Sequence, residues 1–566
     1  MSGPCLREVL TYLPKPLRFG TSGVRAKVEE LTDLEVYCLT RGTLAYFERT
    51  GKLVQASKPK VPIAIPLAGD LRPSTERLLE ATARAIVDAG YQVDYAGRIP
   101  TPALTYYALE QGVASFVVTG SHIPADRNGQ KANRCDGEVQ KSDEAGILAA
   151  VEEFRAQEYA RSTQTSMFDP DGCLKPGYRL AMPPVNPAPG ELYRARYRAV
   201  FSQDLFQGLK VFFFEYSAVG RELVPEILAA AGCEVFCVGR CEEFIPLDTE
   251  AISDTHLQLL RDLVKQQQRS IDAVVATDGD SDRPLVLGVE GEELAIFPGD
   301  LLGATVAKFL HADAAAVPIS ANPGLEEFLG PKVALKRTKI GSPYVIEAMQ
   351  GLKESGKQRV VAWEANGGFL LGSDFALGGG VLKALPTRDA VLPILCVLAE
   401  AKRQRVSLAE LVRQFPPHFG QSGLVDDFPQ ELSQKILSYF APEDPQVEEV
   451  RFVSDEVVLL NRDGDQLARL TSTNPEAKAW LARKNLLEQV FSPQLGFAPL
   501  VAINVLDGIR CRFKGGEIAH VRPSGTAPQL RVYAFAASCA RAREIAKLAV
   551  AKGGLLERLA QAVSAA

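Results

Sequence analysis

Short apolar runs recur along this chain, each stopping at a polar, glycine-containing loop, and they alternate with longer stretches of helical periodicity. The clearest run spans residues 113–118. It predicts a buried strand of a parallel sheet that ends at Thr119-Gly120-Ser121-His122-Ile123-Pro124. The same pattern predicts strands over 61–66, 209–214, 271–276 and 359–363, and helices over 33–47, 74–89, 222–231 and 388–402. Ser74 is the expected cap of its helix. Towards the end, alternating strands are predicted over 448–460 and 501–513, then a strand over 531–535 and a helix over 539–548. Strand and helix alternation implies layered α/β domains.

The phrase Ala-Gly-x-x-Val-x-x-x-Gly-Arg follows a helical stretch twice, from Ala89 to Arg98 and from Ala231 to Arg240, with a fainter echo at Leu329-Gly330-Pro331-Lys332-Val333. Three related α/β units account for these echoes. The proline-rich stretch 168–190 is the expected linker between the first two. The apolar segment 390–399 is too short to span a bilayer and reads as a core helix.

Length adds an expectation of three or four domains at about 150 residues each. A net charge of -6 offers no general basic field for nucleic acid or an anionic membrane, so small molecules are the expected partners. Ten cysteines without a paired framework, and no signal-like segment in the first twenty residues, point to a reduced, cytoplasmic enzyme. Cys233, Cys237 and Cys241 are spaced like metal ligands, but no histidine or fourth cysteine accompanies them. They are expected to be buried free thiols.

Ser121 is the first candidate for a reacting atom, because α/β folds place chemistry in loops at the carboxyl ends of parallel strands. The alternative is a turn with a helix cap. Asp278, Asp280 and Asp282 alternate, so an extended backbone turns all three carboxylates to one side, where hard oxygens suit magnesium. An EF-hand is excluded by Arg283 and Val289, where glycine and glutamate are required. A solvated acidic turn fits poorly beside Arg283 and an apolar strand. Arg522, Ser524, the amides around Gly525, Thr526 and Arg531 suit a phosphate dianion, with a surface turn as the alternative. Gly351 to Lys357 mimics a P-loop, but Gln358 replaces the hydroxyl residue and the order of elements is wrong.

In their order, the loops Thr-Gly-Ser-His-Ile-Pro, Asp-Gly-Asp-Ser-Asp-Arg, Glu-Ala-Asn-Gly-Gly and Arg-Pro-Ser-Gly-Thr-Ala-Pro resemble the alpha-D-phosphohexomutase superfamily of phosphomannomutases and phosphoglucomutases. The resemblance implies four domains around a central cleft: three related α/β domains with mixed sheets and a C-terminal α+β domain. The expected divisions are 1–185, 186–298, 299–415 and 416–566. It implies a phosphoserine at Ser121, Mg2+ held by Ser121, Asp278, Asp280 and Asp282, and proton transfer by Lys131. His122 and Arg25 match neighbours of the transferring phosphate. Glu364 matches the glutamate that grips sugar hydroxyls, and Arg283, Lys339, Gly341, Asn366, Arg522, Ser524, Gly525, Thr526 and Arg531 are the other implied substrate contacts.

The implied reaction interconverts hexose 1-phosphate and hexose 6-phosphate through a bound hexose 1,6-bisphosphate, which also serves as activator. Mannose is the first choice of sugar, with phosphoglucomutase or phosphoglucosamine mutase as alternatives, and a non-catalytic sugar-phosphate-binding regulator as the alternative from another class. A monomer or homodimer is expected. Two departures stand out. The common Glu-x-Ser-Gly-His is here Glu364-Ala365-Asn366-Gly367-Gly368, and Ala527 replaces a common glutamate.

Overall fold

A computed structural model describes residues 3–20, 22–58, 62–267, 270–523 and 528–565. Its contacts divide the chain into two compact units. The first comprises Met1–Val317, Pro331–Lys336 and Gly341–Gln414, and the second Pro318–Gly330, Arg337–Ile340 and Phe415–Ala566.

Three mixed sheets follow one plan. In the first, Ala64–Gly69 lies parallel to Gln92–Arg98 and Ser115–Val118, and Arg127–Arg134 returns antiparallel beside Ser115–Val118. In the second, Lys210–Phe214 lies parallel to Glu234–Val238 and Ala273–Thr277, and Pro284–Glu290 returns antiparallel. In the third, Ala314–Pro318 lies parallel to Val360–Trp363, Phe369–Leu371 returns, and Leu385–Asp389 follows antiparallel. The strands entering the return, Ser115–Val118, Ala273–Thr277 and Val360–Trp363, are buried at every position, as apolar runs in covered sheets must be. Polar residues collect where each strand reverses.

Several expectations are corrected. The helix predicted over 388–402 is Val391–Gln404, and Arg388 lies in the strand Leu385–Asp389. Asp389 accepts from the Val391 N–H (3.0 Å), so the helix starts behind its charged leader, and Pro393 falls in the first turn where its missing N–H costs nothing. The strand predicted over 61–66 is Ala64–Gly69, with Val61 outside the described residues. Ser74 makes no side-chain cap bond, and its hydroxyl accepts instead from Asn128 (2.8 Å). The expected linker is partly core, because Phe168 and Leu174 join the buried cluster of the first α/β unit, where Phe168 packs on Tyr37, and a helix, Ala188–Arg198, begins before residue 190. Cys233 is buried, but Cys237 is exposed and Cys241 half-buried, since Glu234–Val238 is an edge strand with one side open.

The second unit is α+β. Its eight-stranded antiparallel sheet runs in the order Phe419–Val425, Leu530–Ala536, Ile518–Pro523, Ile509–Phe513, Leu500–Asn504, Glu449–Val453, Glu456–Leu460, Gln466–Thr471. The stretches predicted over 448–460 and 501–513 are therefore hairpins, the first turning at Ser454 with φ of 52°. Helices including Pro475–Val490 and Cys539–Val550 close a core around Trp480, Phe491 and Phe513. Among the described residues no helix is long and apolar enough to cross a membrane.

Candidate active site

Reversal at the end of Ser115–Val118 puts Ser121 at φ 55°, in the left-handed region that non-glycine residues seldom occupy. Glycine-bounded loops usually display a side chain, but Ser121 is fully buried. The aspartate loop lies against it: a Cβ added to Gly279 would sit 2.6 Å from the Ser121 carbonyl oxygen. The Ser121 hydroxyl donates to Asp278 Oδ2 at 2.6 Å.

Two residues that the sequence did not flag hold this loop. Buried Arg72 donates to the carbonyls of Ser121 (2.8 Å), Ile123 (2.5 Å), Pro124 (2.7 Å) and Arg127 (2.9 Å), and its guanidinium pairs with Asp70. Asp70 in turn accepts from Thr75, Thr119 and the Gly120 N–H. Both follow the strand Ala64–Gly69 at its carboxyl end, the position that singled out Ser121.

The three aspartates are buried, with one carboxylate oxygen from each within 4.8 Å of the others, and among the described residues no other such cluster of potential ligands occurs. Burial, then Asp280 and Asp282, pushes Asp278 up to about 8. Burial works against Asp280 and Asp282 as well, but Lys131 outweighs it at Asp280, and Arg388 with Lys131 at Asp282, so both stay below the usual carboxylate range. Lys131 Nζ lies 2.5 Å from Asp280 Oδ2 and 2.6 Å from Asp282 Oδ2. Asp280 Oδ1 and Asp282 Oδ1 are buried without a hydrogen-bond partner. Orphaned anionic oxygens beside a serine hydroxyl are a donor set that fits a small hard cation.

Guanidinium groups stand beside the same triad, with Arg283 Nε 3.6 Å from Asp282 Oδ1 and 3.9 Å from Asp278 Oδ2. Arg283 Nη1 lies 2.8 Å from His122 Nδ1, and since arginine can only donate, that ring nitrogen accepts. Burial, then Arg283 and Arg25, holds His122 far below the usual imidazole range, so it is neutral. Burial and Arg283 push Arg25 down to about 10. Nε and Nη2 of Arg25 and Nε of Arg283 are buried without an acceptor. Such donors are placed to take up the oxygens of an anion.

After Val360–Trp363 comes the third loop. Glu364 is buried and its Oε2 accepts from Arg388 Nη1 (3.1 Å), while Arg388 Nε and Nη2 reach Asp282 Oδ2 at 3.0 and 2.9 Å. Arg388, which the sequence pattern assigned to a helix, thus joins the aspartate loop to Glu364. Asn366 Oδ1 accepts from the Gly368 N–H (3.0 Å), so part of this side chain shapes its own loop. Gly341, at φ 131°, caps the helix Ser342–Glu354. Lys339, Arg522 and Arg531 belong to the second unit, where Arg522 pairs with Asp507 (3.0 Å) and lies opposite Arg531 on adjacent strands. Ser524, Gly525 and Thr526 lie outside the described residues.

Family models match three stretches: phosphoglucomutase/phosphomannomutase alpha/beta/alpha domain I over residues 16–158, alpha/beta/alpha domain III over 298–419, and the C-terminal domain over 455–552. A phosphomannomutase of Sinorhizobium fredii is 34% identical, over 91% of this chain and 94% of its own length. One of Salmonella muenchen is 32% identical, over 92% of each. Among solved structures, a phosphoglucomutase/phosphomannomutase family protein of Burkholderia thailandensis aligns with a TM-score of 0.60 at 17% identity, covering 96% of this chain and 97% of its own. Aspergillus fumigatus N-acetylphosphoglucosamine mutase, in complex with GlcNAc-6P and magnesium, aligns at 0.51 and 15% identity, covering 99% of both chains.

Proposed function

This chain belongs to the alpha-D-phosphohexomutase superfamily and is an isomerase of the phosphotransferase kind, and we propose that it interconverts mannose 1-phosphate and mannose 6-phosphate with Ser121 as the phosphoryl carrier. The observation that carries the proposal is the Ser121 hydroxyl, 2.6 Å from Asp278 in a buried triad with two orphaned oxygens. Mannose is favoured because relatives at 34% and 32% identity are phosphomannomutases.

In this reading phosphoserine donates its phosphoryl group to the free sugar oxygen, forming a bound hexose 1,6-bisphosphate. After the sugar turns over, Ser121 recovers the other phosphoryl group. Arg25 offers its two N–H groups that lack hydrogen bonds to the phosphoryl oxygens, and Arg283 adds its charge beside them. Lys131 moves the proton of the attacking sugar oxygen, and neutral His122 keeps Arg283 in place. Glu364 accepts from sugar hydroxyls. Asp278, Asp280, Asp282 and Ser121 would hold magnesium, which when bound supplies charge neutralisation at the phosphoryl group.

The test is turnover by the purified protein on mannose, glucose and amino-sugar 1-phosphates, with magnesium and the matching bisphosphate. Mannose 1-phosphate should give the highest kcat/KM, and Ser121→Ala should reduce turnover to background. Turnover fastest on another sugar would reject mannose, full activity in Ser121→Ala would reject the carrier, and no turnover on any substrate would reject the proposal as a whole.

A further inference from the structure

Gly368 stands where the superfamily pattern has histidine, and the space a side chain would need there is already filled. A Cβ added at Gly368 would meet Arg388 Cδ at 2.6 Å, Cγ at 2.8 Å and Cβ at 3.1 Å. The arginine arrives from the neighbouring strand: Leu385–Asp389 runs antiparallel to Phe369–Leu371 with Phe369 opposite Asp389, so residue 388 lies diagonally across from residue 368 and its stem reaches over it. Glycine at 368 and arginine at 388 are therefore one exchange, because a side chain at the first position and the arginine stem at the second compete for the same volume.

What the stem delivers is a fully buried guanidinium fixed between two loops. It donates to Glu364 Oε2 (3.1 Å) and, through Nε and Nη2, to Asp282 Oδ2 (3.0 and 2.9 Å). A planar fork with donors along two edges can hold both carboxylates in a fixed relation, which a single ammonium charge cannot. We propose that Arg388 is a positioning residue in the place of the superfamily's histidine: it engages Glu364 Oε2 so that the other carboxylate oxygen serves the sugar hydroxyls, and it registers the sugar loop against the aspartate loop. The inference rests on the mutase reading above. A carboxylate with one oxygen committed presents one orientation to the sugar instead of several, and that orientation is available before substrate arrives.

The experiment uses the full chain with mannose 1-phosphate. Equilibrium binding is measured calorimetrically in the Ser121→Ala background, where no turnover intervenes, and KM and kcat are measured with Ser121 intact. Arg388→Ala should weaken binding and raise KM by about 10- to 100-fold, the usual effect of removing a residue that orients a ligating group. Guanidinium ion added to the solution should restore part of it, and Arg388→Lys should restore less than guanidinium does. Unchanged binding in Arg388→Ala overturns the inference, as does a folded Arg388→Ala variant that guanidinium leaves unmoved.

Should Arg388→Ala fail to fold, the pair Gly368→His and Arg388→Ala decides. Gly368→His alone should lose binding through collision with the arginine stem, and the double variant should bind better than Gly368→His. A double variant no better than Gly368→His overturns the inference. Absence of mutase turnover in the unmodified chain is a separate result that strikes the reading beneath it.

Discussion

Arg72 and Arg388 are both buried, and each stands beside a loop that reverses a buried parallel strand, yet they hold those loops by different atoms. Arg72 donates to four backbone carbonyls between Ser121 and Arg127, so it fixes the path of the chain. Arg388 donates to the side chains of Glu364 and Asp282, so it fixes functional groups. The difference follows from what each loop must present. A hydroxyl has one rotatable bond and is aimed by its backbone, which at Ser121 is held at φ 55°. A glutamate has three side-chain torsions, and a fixed backbone alone does not aim it.

Three substitutions test that contrast, beginning with the largest effect. Arg72→Met should destabilise the protein by about 3–5 kcal/mol, because Asp70 is left buried without its cation, and should abolish turnover. Chemical denaturation and the mutase assay check both. A stable, active Arg72→Met enzyme would show that the serine loop holds its shape without the clamp. Gly279→Ala should come next. Its Cβ would meet the Ser121 carbonyl oxygen at 2.6 Å, and since backbone cannot swing aside, overpacking should cost about 1–3 kcal/mol. The loss should fall on kcat more than on KM, because it displaces the phosphoryl carrier.

The smallest effect is expected for Asn366→Ala, which removes the acceptor of the Gly368 N–H at a cost of about 1 kcal/mol. Here KM for the sugar phosphate should rise while phosphorylation of Ser121 at saturating bisphosphate proceeds at its normal rate. Slowed phosphorylation in Asn366→Ala would mean that the two loops are not separately held.

Ser121 and the aspartate triad were legible because an apolar run that stops at polar residues marks the carboxyl end of a buried strand, whereas Glu364 was singled out by the resemblance of its loop. The same rule covers Asp70 and Arg72, which follow Ala64–Gly69, but Asp-Leu-Arg reads as an ordinary surface turn. Their partners include carbonyl groups far along the chain, and carbonyl groups leave no mark in a sequence. Arg388 was hidden for a different reason. A charge at the head of an apolar run resembles the first turn of a helix, and only the pairing of Leu385–Asp389 with Phe369–Leu371 reveals a strand end. The burial of Ser121 was equally out of reach, since it depends on Gly279 bringing a loop of the second sheet against the first. Order and pairing within the sheets explain why repeated phrases mark repeated units, although the echoes say nothing of which strand reverses.

Phosphorylation at Ser121 is the most direct test of the account. The unmodified protein is incubated with mannose 1,6-bisphosphate and magnesium, digested, and its peptides are mapped by mass spectrometry before and after excess mannose 1-phosphate is added. The account predicts one phosphoryl group on Ser121 that is lost to the added sugar phosphate. A catalytically active enzyme carrying no phosphoryl group at Ser121, or one that the sugar phosphate cannot remove, would contradict it.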